Sequence, residues 1–102
     1  MTRTVDEVEA AFRKVKASAE KVMKGDESAR DEAFEEIFAL NNEIGRLARE
    51  EPSTMSKMRE LQGWVNAITV GMKYDRPREL REGLDVTERA ISSLRKELAS
   101  SS

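Results

Sequence analysis

An all-α, antiparallel up-down-up-down four-helix bundle is the fold class this sequence predicts, on three observations. Apolar residues recur at alternating steps of three and four along most of the chain, the rhythm of one face of an α-helix. Helix-ending signals break that rhythm at Gly25, at Pro52 and at Asp75-Arg76-Pro77, dividing the 102 residues into four segments of similar length. No segment alternates with the period of two that marks a strand.

The first helix is predicted over about residues 4–24. Thr4 followed by Glu7 has the spacing of a capping box, in which the hydroxyl accepts from the amide three residues on and the carboxylate reaches back. Val5, Val8, Phe12, Val15, Ala19 and Val22 then make a narrow apolar seam, and Gly25 supplies the left-handed residue that ends helices.

The second helix, about 27–51, takes its cap from Asp26 or Ser28 and places Glu27, Asp31 and Glu32 where the helix dipole favours negative charge. Its apolar surface is wide. One stripe is Ala33, Ile37, Leu40, Ile44 and Leu47, and beside it runs Phe34, Phe38, Asn41, Gly45 and Ala48. Pro52 ends the segment, because proline disfavours helical geometry in the residue before it.

The third helix, about 54–74, carries Met55, Met58, Leu61, Val65, Ile68 and Met72, flanked by Trp64. Pro77 suits the first turn of the fourth helix, about 77–99, whose stripe is Leu80, Leu84, Thr87, Ile91, Leu94 and Leu98. Residues 1–99 are expected to form one domain, and the serines at 100–102 a frayed tail. Connections this short make successive helices antiparallel neighbours.

Charge agrees with that order. Residues 26–52 hold 3 basic and 9 acidic groups, whereas 1–25 hold 6 and 4 and 53–76 hold 4 and 2. An acidic second helix therefore sits between two mildly basic ones. Leu, Ile, Val and Phe together make 21 of 102 residues, a thin core, but a net charge of −2 is too small to drive disorder. Small chains often complete a thin core by association, so a homo-oligomer is expected, with a dimer favoured.

With no histidine and no cysteine, the chain is without disulfides, thiolate nucleophiles, Ser-His-Asp triads and ordinary zinc sites. No cofactor and no metal are expected. The carboxylates of Glu27, Asp31, Glu32, Glu35 and Glu36 fall largely opposite Ile37 and Leu40, as a solvated acidic face would. No apolar run approaches the roughly 20 residues of a membrane helix. Because Met1-Thr2-Arg3-Thr4 leads directly into Asp6 and Glu7, the chain is expected to be cytoplasmic.

A non-enzymatic module for protein–protein contact, self-associating or docking another protein, is the function these features predict. Its candidate face combines Phe34, Phe38, Asn41, Gly45 and Ala48 of the second helix with Trp64 and the methionines of the third. Asn41 could fix register in a helix pair, and Gly45 could allow close helix approach. Tyr74, Arg76 and Arg78 form a second candidate contact at the corner before the fourth helix. Two alternatives come from other classes. One is a small bundle enzyme using only Glu, Asp, Arg and Lys. The other is a nucleic-acid-associated regulator gripping through the basic corner Lys73–Arg81, although Asp75, Glu79 and Glu82 interleave there and leave little counterion-release free energy.

Overall fold

The computed structural model describes the backbone of residues 2–101 and the side chains of residues 4–99. Its four helices are α1 (Thr2–Met23), α2 (Ala29–Glu50), α3 (Met55–Lys73) and α4 (Pro77–Ser101), with a single 3-10 turn at Pro52–Thr54. At about 1.5 Å rise per residue, the 22 residues of α1 or α2 span roughly 33 Å. The molecule measures 43 × 20 × 17 Å.

Side-chain bonds at the helix ends display the up-down-up-down order directly. Thr4, near the start of α1, donates to Glu50 at the end of α2 (2.5 Å), and Arg30, near the start of α2, pairs with Asp75 just beyond α3 (2.7 Å). Lys57 in the first turn of α3 pairs with Glu97 late in α4. Arg95 of α4 closes the ring onto Asp6 of α1 (2.5 Å). α1 packs most extensively on α2, and α3 on α4.

The predicted stripes meet at the centre. Val5, Val8, Phe12, Val15, Ala19 and Val22 of α1 are all buried, as are Ala33, Ile37, Leu40, Ile44 and Leu47 of α2. Met58, Leu61, Val65, Ile68 and Met72 join them from α3, with Leu80, Leu84, Ile91 and Leu94 from α4. No charged residue is buried among the described residues.

Helix ends differ in detail from their sequence signals. α1 already runs from Thr2, so Thr4 is no cap. Its buried hydroxyl ties α1 to Glu50 instead, a tertiary partner 46 residues away that no local spacing reveals. Gly25, with φ of 100°, ends α1 as expected: its N–H donates to the Val22 carbonyl (3.0 Å) and the Asp26 N–H to that of Lys21 (3.0 Å), the Schellman pairing. Ser28 makes no capping bond to α2, while Asp26 accepts from both the Ser28 amide and its hydroxyl. α4 continues through Ser101, two residues beyond the predicted end, and Ser102 lies outside the described residues.

Thr87 breaks the pattern of the core. It occupies the α4 stripe, is 0% exposed, and its hydroxyl has no hydrogen-bond partner. A buried hydroxyl left unpaired costs about 1–3 kcal/mol of desolvation. Thr87→Val keeps the branched shape and removes the polar atom, so it is expected to stabilise the bundle by about 1 kcal/mol. Thermal melting checks this. A lower melting temperature would mean that the hydroxyl is satisfied in solution.

Candidate functional site

The candidate residues of α2 separate into three groups. Ala48, at 7% exposure, belongs to the core, so it is not part of a docking face. Phe34 is half-buried and packs against the core edge, and Asn41 and Gly45 are half-buried beside it. Phe38 alone is out in solvent, at 70% exposure. The reason lies in helix geometry. At 100° per residue, the buried positions of α2 occupy one arc, and Phe38 points nearly opposite Leu40 and Leu47. Asp31, Glu35, Asn42 and Arg49 share that outward face and are exposed.

Gly45 does not serve close helix packing within the bundle. A Cβ added there would meet only the Arg49 Nη1 atom, at 3.6 Å. The tight approaches lie between α3 and α4, at Gly71 against the Leu80 backbone and at Gly83 against Ile68. Neither was singled out from sequence, because an isolated glycine in a helical stripe reads the same whether or not another backbone lies against it.

The α3 part of the candidate face does not join the α2 part. Met58 and Met72 are core residues, leaving only Met55 exposed among the three methionines considered. Trp64 is half-buried. It lies seven residues from both Lys57, which pairs with Glu97 of α4, and Gly71, which abuts Leu80 of α4. That spacing puts the indole on the α4 flank of α3, whereas Arg30 reaches α3 from the α2 side. Phe38 and Trp64 therefore occupy different faces of the bundle.

At the α3–α4 corner, Tyr74 is 58% exposed and Arg76 and Arg78 are exposed with it. Lys73 Nζ lies 5.6 Å and Arg76 Cζ 5.8 Å from the centre of the Tyr74 ring, so its electron-rich system already engages two cations of the chain itself. Asp75 has φ of 52°, a left-handed position that aspartate tolerates better than most side chains. Arg30 locks this corner from α2. Its guanidinium donates to the Met72 carbonyl, to Asp75 and to Glu27. That bonding raises the arginine pKa and holds Glu27 below the usual carboxylate range. Nothing in the local sequence marks Arg30 out, since its partners arrive from 42 and 45 residues away.

The acidic face of α2 is not wholly solvated. Glu36 is half-buried and accepts from the Ser18 hydroxyl of α1 at 2.8 Å. Burial, reinforced by the Glu32 carboxylate one turn earlier, pushes Glu36 above the ordinary carboxylate range against the pull of Ser18. It lines a groove between α1 and α2 with Glu7, Lys14, Glu35 and Glu43 over a floor of Ala10, Ala11 and Ala39. A second groove, between α1 and α4, holds about 420 Å³. Lys16, Lys24 and Arg81 line it against Glu20, Asp85 and Glu88, with Lys16 and Glu88 paired at 2.9 Å. Among the described residues no group of three carboxylates is placed to hold a metal ion.

No protein-family model matches the chain, and no curated protein or solved structure is similar to it. No helix among the described residues is long and apolar enough to cross a membrane.

Proposed function

We propose that the chain is a non-enzymatic helical module whose outer α2 face, centred on Phe38, docks protein. One observation carries the reading: a phenylalanine 70% exposed at the midpoint of a well-formed helix, beside a half-buried Phe34. Aromatic rings are among the side chains that contribute most to protein interfaces, and ordering one on a rigid helix in advance lowers the entropy lost on binding. The surrounding Asp31, Glu35, Asn42 and Arg49 give the ring a polar rim, the usual arrangement around an interface hot spot. The cytoplasm is the expected setting.

The basic corner is a weaker basis for function, because Asp75, Glu79 and Glu82 stand among its cations and Tyr74 is engaged by Lys73 and Arg76. The test is made at Phe38. Phe38→Glu is expected to leave helicity and the melting transition nearly unchanged, since the ring contributes little to the core. The same carboxylate in a desolvated contact meets a penalty of several kcal/mol, so association is expected to be lost. A photoreactive phenylalanine analogue at position 38, illuminated in the cells that make the chain, should form protein adducts. Absence of any adduct, or a melting temperature that falls as far as for a core substitution, rejects the reading.

A further inference from the structure

We propose that the outer face of α2 pairs with the same face of a second copy of this chain, antiparallel, about a two-fold axis at the level of Leu40. The proposal rests on the docking reading of Phe38 and supplies its occupant. Two residues of this face lack an explanation within one bundle. Phe38 is exposed at the middle of the helix, and Gly45, two turns on, weakens a helix interior that has room for a side chain. The antiparallel pair accounts for both. In it Phe38 stands opposite Asn42 of the second copy, and helical side chains lean toward their own N-terminus. Each ring then leans toward Gly45 of the other copy, which has no side chain of its own and is approached only by the movable end of Arg49, drawn off in the pair toward Asp31.

Charge selects the direction. The outer face carries Asp31 and Glu35 in its N-terminal half and Arg49 in its C-terminal half, and none of the three has an ion-pair partner among the described residues. A parallel pairing sets Asp31 against Asp31 and Arg49 against Arg49. The antiparallel pairing sets Asp31 opposite Arg49 of the second copy, twice by symmetry, as self-complementary two-fold interfaces require. Each helix dipole also runs against its neighbour.

Sedimentation velocity on the full chain, from low micromolar to submillimolar concentration, tests the pairing. The unaltered chain is expected to dimerise reversibly, and Phe38→Glu to remain monomeric, with a melt that matches the unaltered chain's at concentrations low enough for both to be monomers. Asp31→Arg or Arg49→Asp alone is expected to weaken dimerisation about tenfold, because each places two like-charge contacts across the axis. The chain carrying both substitutions restores opposite charges and is expected to regain most of the affinity. A chain monomeric at every concentration, a dimer indifferent to Phe38→Glu, or a double exchange that fails to recover overturns the proposal. If the chain is monomeric yet the photoreactive group at position 38 still captures a different protein, the second copy is excluded while the docking reading stands. A monomer that captures nothing there removes both.

Discussion

Replacing Phe12 with alanine is expected to cost the bundle about 3–5 kcal/mol, a large part of the stability of an ordinary domain. Phe12 is 2% exposed, and every other core residue of α1 is a valine or an alanine. Those short side chains cannot reach into the space a missing ring leaves. Ile91 of α4 lies against the same crevice as Phe12 and would lose its partner. Since a domain of this size shifts its melting temperature by about 4–8 °C per kcal/mol, a fall on the order of 12 °C or more is expected. Urea unfolding gives the free energy directly, with a lower midpoint and an unchanged slope. A loss below about 1 kcal/mol would mean that the α1 seam is not buried in the isolated chain.

The seam of α1 was legible because periodicity is a local property: each apolar position lies three or four residues from the next, and all six of its named residues are buried. The same logic located Gly25, whose left-handed φ is a backbone requirement of the turn itself. It failed where the deciding partner is distant in sequence. Thr4 resembles a cap until Glu50 comes within hydrogen-bond reach. Arg30 is unremarkable until Met72 and Asp75 arrive from the end of α3.

The wide apolar face of α2 shows the same limit in the candidate site. Periodicity placed Phe34, Phe38 and Ala48 on one stripe, but a stripe two residues wide spans enough arc for Ala48 to be core, Phe34 edge and Phe38 solvent. Trp64 was grouped with them because its size suits an interface. The flank of α3 it occupies depends on where α4 packs, which Gly71 and Gly83 determine by admitting backbone contact. Small residues carry little hydrophobic signal, so the closest helix contact was also the least visible one.

That contact gives the second large effect. Gly71→Ala is expected to destabilise the bundle by about 1–3 kcal/mol, although alanine is the better helix former by about 1 kcal/mol. A Cβ at Gly71 would lie 2.9 Å from both Leu80 N and Leu80 Cα, main-chain atoms that cannot rotate aside. The corner is also held from within. The Gly71 carbonyl accepts from the Arg76 amide at 2.8 Å, so displacing α3 disturbs its own C-terminal cap. Gly83→Ala should cost less, since its nearest contacts, Ile68 Cγ1 at 3.0 Å and the Ile68 amide nitrogen at 3.3 Å, are looser than those at Gly71, although buried Ile68 must shift by a few tenths of an ångström to admit the methyl group. Gly63, with nothing within 4 Å, should gain about 0.5–1 kcal/mol from helix propensity alone. Urea midpoints for the three alanine variants should therefore rise in the order 71, 83, 63. A Gly71→Ala midpoint as high as that of Gly63→Ala would show that α3 and α4 do not meet backbone to backbone, and the placement of Trp64 on the α4 flank would lose its Gly71 support.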